Sequence, residues 1–227
     1  MVAPLTPPLR PLSSPQRRVL LTGFDPFDGA RINSSWQAVA TIDGDIIAGH
    51  TIVAALLPTA FDASLAVLSK LLRLHKPALV ICIGQAGGRS ALSLERVALN
   101  IRDARIPDNA GNQPVDVPVI KSGPAAYFST LPVKAMRQAL NDAGIAAEVS
   151  QTAGTFVCNH VFYALMHKLR SRVQSPSVRG GFIHVPYLPE QGSPSMPLDE
   201  MVRGIRIAVA CALATTNDLK ESAGSLG

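Results

Sequence analysis

Several features that mark common protein classes are missing from this chain of 227 residues. Only 16% of its residues are charged and 5% are aromatic, whereas an ordinary soluble domain carries about 25% charged residues. No collagen-like period, heptad array or longer repeat is visible, which excludes fibrous and repeat architectures. The uncharged stretch from Ile46 to Phe61 contains His50 and Pro58 and is shorter than the roughly 20 apolar residues of a membrane span. We therefore expect neither a transmembrane segment nor a membrane partner.

Most of the excess of positive charge lies at one end of the chain. The formal net charge is +5, but Arg10, Arg17 and Arg18 stand in a stretch of 18 residues that contains no acid. The remaining residues carry 18 basic against 16 acidic side chains. Because no segment combines clustered basic residues with interleaved aromatics, the sequence lacks a nucleic-acid footprint. We expect no nucleic-acid partner.

The cysteine count and the N-terminal residues both bear on location. An odd number of cysteines, three, in a chain of this size favours free thiols in a reducing compartment. Residues 1–17 hold five prolines and no apolar run of the length that a signal peptide requires. They predict a flexible Pro/Arg-rich extension, to which we assign no function. We expect a cytoplasmic protein.

Apolar strands alternate with amphipathic helices from residue 18 onward. This alternation predicts a single α/β domain over residues 18–227, with a twisted, mostly parallel sheet covered by helices on both faces. Asn33 or Ser34 is expected to cap the first helix, and Gly144 to end the third. The predicted strands are 18–22, 51–57, 78–84, 146–151 and 181–184, with an extended segment near 95–101, and the predicted helices are 34–42, 61–75, 132–143, 156–170 and 198–214.

A cysteine follows the predicted strand at 146–151 across a turn of small residues. Cys158 falls in the first turn of the next helix, where the positive end of the helix dipole favours a thiolate, the form that attacks an amide carbonyl. The competing interpretation is a buried, inert thiol, which position alone does not exclude. Cys82 and Cys211 lie in wholly apolar segments, so we expect both in the core.

A cysteine nucleophile needs a base and, commonly, an acid that orients it. His184 ends a predicted strand and should emerge near Cys158, whereas His160 should face another side of its helix. Spacing does not choose among the acids after the third strand, which are Glu95, Asp103, Asp108 and Asp116. The residues alone therefore indicate a thiol hydrolase or acyl-transfer enzyme.

The glycine-rich turn Gly84–Arg89 follows a strand but lacks the G-x-G-x-x-G spacing of dinucleotide-binding proteins. We interpret it as a turn that lines a pocket, and keep a nucleotide-binding protein as a weak alternative. No cluster of His, Cys and carboxylates has zinc-like spacing. We expect no metal and no cofactor.

Four segments, which appear in the same order in a known family, carry a resemblance that extends over about residues 18–215. They are LLTGFDPFDGARINSSW, ICIGQAGGRSALSLERVALNIRDARIPDNAGNQP, SQTAGTFVCNHVFYALMH and FIHVPYLPEQ. The sequence resembles the pyroglutamyl-peptidase I (pyrrolidone-carboxylate peptidase) family of cysteine peptidases. The resemblance implies a phosphorylase/hydrolase-like α/β/α sandwich, a homotetramer, and removal of N-terminal pyroglutamate from peptides through a thioester. The alternatives are a thiol amidase or acyltransferase that acts on another small cyclic or blocked amide, and a relative that binds pyroglutamyl ends without cutting them.

The same resemblance assigns roles that spacing leaves open. It implies that Cys158 is the nucleophile, His184 the base and acid, and Glu95 the orienting carboxylate. Arg105 matches an arginine near the oxyanion. Six further positions match those that hold or line the substrate ring: Phe24, Phe27, Asn33, Gln85, Phe156 and Val157. The chain departs from the family at Asp28, where glycine is common, and at Ser34, where proline is frequent.

Overall fold

The structure, a computed structural model, describes residues 17–171 and 178–224. The extension predicted for residues 1–17 therefore lies outside the described residues, except for Arg17. Within the described part of the chain, no helix is both long and apolar enough to cross a membrane.

Seven strands form a central mixed sheet in the order β2-β3-β1-β4-β9-β5-β8, and β6 pairs with β7 in a small antiparallel ribbon. The strands are β1 (Arg18–Phe24), β2 (Ile46–Ile47), β3 (His50–Leu57), β4 (Leu79–Gln85), β5 (Leu92–Glu95), β6 (Val97–Leu99), β7 (Ala126–Phe128), β8 (Ala147–Ser150) and β9 (Arg179–Val185). The pairs β1–β3, β1–β4, β4–β9 and β5–β8 are parallel, which confirms the mostly parallel sheet. The pairs β2–β3 and β5–β9 are antiparallel, and the sequence did not indicate them.

Helices cover both faces of this sheet, as predicted. They are α1 (Ser34–Thr41), α2 (Phe61–His75), α3 (Val133–Asp142), α4 (Val157–Ser171) and α5 (Leu198–Ala214). Side chains of α1, α3 and α5 share one hydrophobic cluster with the sheet, and side chains of α2 and α4 share the other. We call these the aliphatic layer and the aromatic layer, after the side chains that fill them. Together they confirm a single α/β/α domain.

Local sequence explains where the helices begin and end. Asn33 caps α1, because its Oδ1 accepts a hydrogen bond from the backbone N–H of Ser35 at 3.1 Å, an interaction typically worth about 1 kcal/mol. Gly144, which follows α3, has a φ of 75°, a left-handed conformation that favours glycine at the end of a helix. The bounds of α2 and α5 agree with the sequence prediction residue for residue.

Candidate active site

The Cys158 thiol lies at the carboxyl edge of the sheet, against β4. Cys158 is the second residue of α4, so the predicted first-turn position is confirmed. A β-carbon at Gly84 would come within 2.8 Å of the Cys158 Sγ and 2.7 Å of the Phe182 ring. Only glycine therefore leaves room at this point of β4 for the thiol to reach the strand.

The environment of this thiol opposes its ionisation. Burial and the negative charge of Glu95 raise the pKa of Cys158 to about 12, although the Arg89 guanidinium acts in the opposite direction. Burial and the Glu95 charge thus act against the effect of the helix terminus, and the expectation that this terminus favours a Cys158 thiolate stays a prediction. Because desolvation and a neighbouring carboxylate disfavour the thiolate, a base that takes the thiol proton would assist the reaction.

His184 and Glu95 form a hydrogen-bonded pair beneath this edge. The His184 Nδ1 lies 2.7 Å from the Glu95 Oε1, and both side chains are buried. Antiparallel pairing of β5 with β9 places Glu95 opposite Phe182 and Ser93 opposite His184, which makes Glu95 and His184 diagonal neighbours on one face. Gly84 is the parallel partner of His184, so Gly84 adjoins both His184 and the Cys158 thiol.

Arg89 contacts the same carboxylate oxygen. The Arg89 Nη1 donates to the Glu95 Oε1 at 2.8 Å, and the Arg89 Nη2 lies 3.4 Å from the carbonyl oxygen of Thr152. The other oxygen of Glu95, Oε2, is buried and has no hydrogen-bond partner in the described part of the chain. Sequence reasoning missed Arg89. The available signal was a single cation that ends a glycine-rich turn directly after a buried strand.

An aromatic wall stands next to the start of α4. The Phe27 and Phe156 rings lie 6.1 Å apart, and Phe61 meets Phe156 edge-on at 5.5 Å. Phe27 and Phe156 are half-buried, so ring surface remains open to a ligand. Phe156 precedes Cys158 by only two residues, which places this wall beside the thiol.

The comparisons with known proteins agree on one family. A sequence model described as pyroglutamyl peptidase matches residues 17–215. The chain belongs to the pyroglutamyl peptidase family. It is 55% identical over 213 residues to the pyrrolidone-carboxylate peptidase of Cupriavidus taiwanensis, which covers 92% of this chain and 98% of the relative.

Solved structures of this family share the fold. The pyroglutamyl peptidase I of Bacillus amyloliquefaciens is 48% identical and has a TM-score of 0.86, covering 90% of this chain and 100% of that one. The pyrrolidone carboxyl peptidase of Thermococcus litoralis is 37% identical and has a TM-score of 0.83, covering 88% and 94%. The α/β fold implied by the sequence resemblance is therefore confirmed.

Three of the expected pocket residues turn out to have buried side chains. Phe24 packs on Phe182 with ring centres 6.3 Å apart, and Val157 is a core residue. The Asn33 amide caps α1 and donates to the carbonyl oxygen of Asp25 at 3.0 Å. In this conformation these three side chains support the pocket from behind, because none of them has surface to offer a substrate. Phe27, Phe156 and Gln85 are the expected pocket residues with accessible surface.

Arg105 stands apart from the groups described so far. Its side chain is exposed and forms no hydrogen bond or ion pair within the described residues, while its carbonyl oxygen accepts from the Gln113 Nε2 at 3.0 Å. The guanidinium that affects the pKa of Cys158 belongs to Arg89. The oxyanion role of Arg105 stays a prediction.

Of the four candidate acids, Glu95 is the one that contacts His184. Asp103 and Asp116 are exposed. Asp108 is buried, and although burial alone would raise its pKa, hydrogen bonds from the backbone N–H groups of Phe61, Asn112 and Ala110 and from the Asn112 side chain hold that pKa below its ordinary value. Asp108 thus joins the start of α2 to a loop.

The remaining thiols and His160 lie elsewhere. Cys82 is fully buried, and burial raises its pKa to about 12, as expected for a core thiol. Cys211 is half-buried against the aliphatic layer. His160 is buried edge-on to Phe61 at 5.3 Å, and burial lowers its pKa to about 4. Among residues 17–171 and 178–224, no three His, Cys, Asp or Glu side chains are grouped so as to hold a metal ion.

Proposed function

We propose that this chain is a cysteine exopeptidase, an omega peptidase, that removes an N-terminal pyroglutamyl residue from peptides. Its membership of the pyroglutamyl peptidase family supports the reaction. The single structural observation that carries the mechanism is the buried Glu95–His184 pair, 2.7 Å between Oε1 and Nδ1, at the sheet edge that the Cys158 thiol also reaches.

The reaction begins with a neutral thiol. Because the pKa of Cys158 is raised, His184 takes the thiol proton as the sulfur attacks the pyroglutamyl carbonyl. Glu95 accepts a hydrogen bond from the Nδ1 of His184, which fixes the imidazole and stabilises its positive charge. The imidazolium then gives its proton to the departing amine and leaves a thioester.

The oxyanion of the tetrahedral intermediate needs donors at the start of α4. N–H groups in the first turn of a helix have no acceptor within the helix, so the backbone N–H of Cys158 is suited to this task. Such a donor is typically worth about 3–4 kcal/mol in the transition state. Arg105 supplies the second donor in our proposal. Water, activated by His184, finally hydrolyses the thioester.

Recognition of the ring falls to the aromatic wall. Pyroglutamate ends in a neutral five-membered lactam, which suits a flat apolar pocket with a few groups that pair its amide. Phe27 and Phe156 supply the ring faces. Proline has the same ring size but lacks the lactam carbonyl, so groups that pair the carbonyl would discriminate strongly against it.

Arg89 acts as a positioning residue in this scheme. By donating to the Glu95 Oε1 at 2.8 Å, it provides a hydrogen-bond partner of opposite charge for a buried carboxylate. Its positive charge also offsets part of the unfavourable effect of Glu95 on the Cys158 thiolate. The arrangement thus holds the Glu95 carboxylate in place for His184 and reduces its unfavourable effect on the Cys158 thiolate.

We further propose a reducing, cytoplasmic location and a homotetramer. All three cysteines are free thiols, which supports the location. Large apolar side chains on the surface support assembly, among them Ile46 and Phe128 at 74% and 69% exposure. Light scattering coupled to size-exclusion chromatography tests the tetramer, and a monomer across micromolar concentrations would contradict it.

The activity is tested by release of a fluorescent amine from pyroglutamyl-aminomethylcoumarin under reducing conditions. Prolyl- and alanyl-aminomethylcoumarin serve as matched controls that lack the lactam carbonyl or the ring. We expect cleavage of the pyroglutamyl compound alone. Equal cleavage of the prolyl compound would instead indicate a thiol amidase of broader specificity, and no cleavage would indicate a binding protein.

A further inference from the structure

A cavity of about 550 Å³ reaches Gln85, which directly follows Gly84 in β4. It opens between the loop that follows β1 and the segment that follows β9, and its walls include Phe27, Ile32, Gln85 and Tyr187. Its volume falls within the range of about 300–1,000 Å³ typical of small-molecule pockets. A single five-membered ring, held against the aromatic wall, leaves a cavity of this size unfilled.

The cavity lies on the opposite side of the sheet edge from the nucleophile. Successive residues of a strand point to opposite faces, and in β4 Cys82 belongs to the aromatic layer whereas Ile83 belongs to the aliphatic layer. Gln85 therefore shares the face of Ile83, while His184, two residues after Phe182 in β9, shares the face of the aromatic layer. Phe27 joins the two sides, because its ring contacts Phe156 and also lines the cavity.

The floor of the cavity is held in place by hydrogen bonds. The Gln85 Oε1 accepts from the backbone N–H of Ser34 at 2.8 Å and from the Gln191 Nε2 at 2.7 Å. Gln191 also donates to the carbonyl oxygen of Ile32 at 3.2 Å. The Gln85 Nε2 has no acceptor in the described part of the chain and remains available to a peptide carbonyl. A pre-formed floor with a free donor is suited to a polar chain that crosses the sheet edge.

The rim of the cavity carries a net negative charge. Asp28 and Glu190 contribute two carboxylates and Arg31 one guanidinium, and all three side chains are exposed. No ion pair within the described residues involves any of them. Asp28 has a φ of 53°, a left-handed conformation in which aspartate is tolerated better than most residues.

We propose that this cavity is the subsite for the peptide that follows pyroglutamate, and that its acidic rim favours a basic over an acidic first residue of that peptide. The inference rests on the proposed function, since it takes Cys158 as the nucleophile and the aromatic wall as the ring site. A substrate then spans the sheet edge, with the lactam on the side of the aromatic layer and the leaving peptide on the side of the aliphatic layer.

The test compares kcat/KM for two peptide amides, pyroglutamyl-lysyl-alanine amide and pyroglutamyl-glutamyl-alanine amide. In wild type we expect the lysyl peptide to be cleaved faster. The double variant Asp28→Asn/Glu190→Gln should lower the lysyl-to-glutamyl ratio by about fivefold, whereas Arg31→Gln should raise it by about twofold, as exposed charges permit. Asp142→Asn, which removes an equally exposed charge outside the cavity, should leave the ratio unchanged.

Inhibition by 2-pyrrolidone, the lactam ring without a leaving peptide, separates the two subsites. Its inhibition constant should be the same in wild type and in the rim variants. A lysyl-to-glutamyl ratio of kcat/KM that does not respond to the rim variants would overturn the subsite. The subsite would also be overturned if the rim variants changed the inhibition constant of 2-pyrrolidone and lowered kcat/KM equally for both peptides. Failure of wild type to cleave either peptide, or pyroglutamyl-aminomethylcoumarin, would instead refute the proposed function.

Discussion

The two layers that cover the sheet bury different kinds of side chain. In the aliphatic layer, the buried residues of the described chain are Leu, Ile, Val, Ala and Met, with no aromatic among them. The aromatic layer buries six aromatic side chains: Phe24, Phe61, Tyr127, Phe162, Tyr163 and Phe182. Cys158 packs against this second layer.

The difference indicates that the two layers have different roles. Aromatic side chains are large, have few rotatable bonds and present flat faces, so they can hold a thiol, an imidazole and a lactam ring in fixed relation. Aliphatic side chains fill space without offering such surfaces. We infer that the aliphatic layer chiefly stabilises the sheet, whereas the aromatic layer also shapes the site.

The largest expected effect concerns the thiols of the two layers. Cys158→Ser should lower kcat/KM for pyroglutamyl-aminomethylcoumarin by about 10⁴-fold or more, because a hydroxyl is a far weaker nucleophile in this setting. Cys211→Ala, in the aliphatic layer, and Cys82→Ala, in the aromatic core, should retain activity. Loss of activity in Cys211→Ala together with its retention in Cys158→Ser would contradict the assignment of the nucleophile to the aromatic layer.

The next effect concerns the carboxylate beneath His184. Glu95→Gln keeps the shape of the side chain but removes the charge that stabilises the imidazolium, and we expect kcat/KM to fall by about 10³-fold. Asp103→Asn, an exposed acid from the same segment, is the matched control and should behave like wild type. Steady-state kinetics of the folded variants decide the matter, and equal activity of Glu95→Gln and wild type would refute the assigned role.

Substitutions in the aliphatic layer should lower the free energy of unfolding but hardly change kcat. Leu140 is fully buried in that layer, and Leu140→Ala should reduce the free energy of unfolding by about 3 kcal/mol while kcat of the folded enzyme changes little. Leu74→Ala, at a position that is 64% exposed, should change the free energy of unfolding by less than about 0.5 kcal/mol. Urea unfolding gives both values. A large loss of kcat in folded Leu140→Ala would contradict the inference that the aliphatic layer chiefly stabilises the sheet.

The state of the resting thiol is open to a direct measurement. Because the pKa of Cys158 is raised to about 12, its thiolate fraction should rise about tenfold for each pH unit through the range from neutral to pH 10. The rate of alkylation by iodoacetamide at Cys158, followed by mass spectrometry, should climb accordingly. A rate that is already level near neutral pH would show a preformed thiolate and contradict the neutral starting state.

Among the variants of the proposed catalytic groups, the smallest effect on kcat/KM is expected at Arg89. Arg89→Gln should lower kcat/KM by about tenfold, because a partly exposed ion pair and one hydrogen bond to Glu95 are lost. It should also slow alkylation of Cys158 at alkaline pH. The Arg89 charge lowers the pKa of the thiol, so its removal should raise that pKa. Arg89→Lys should restore part of both. Unchanged alkylation in Arg89→Gln would limit Arg89 to a structural role.

The sequence predicts the helices better than the site. The bounds of α2 and α5 follow from their amphipathic pattern, and the first-turn position of Cys158 follows from the small-residue turn before it. Glu95 is not singled out by spacing, because its contact with His184 depends on an antiparallel pairing of β5 with β9 between segments nearly 90 residues apart in sequence. The raised pKa of Cys158 is likewise a property of tertiary burial, which a local helix argument does not contain.

The account depends above all on the Cys158 thiol attacking the carbonyl that joins the pyroglutamyl ring to the peptide, and affinity labelling tests the thiol and the ring site together. Pyroglutamyl chloromethyl ketone carries the lactam and places an electrophilic methylene carbon, from which chloride can be displaced, within reach of the attacking sulfur. Peptide mapping after inactivation should find one adduct, on Cys158, and 2-pyrrolidone should slow its formation. An adduct on Cys82 or Cys211, or inactivation that 2-pyrrolidone does not slow, would contradict the account.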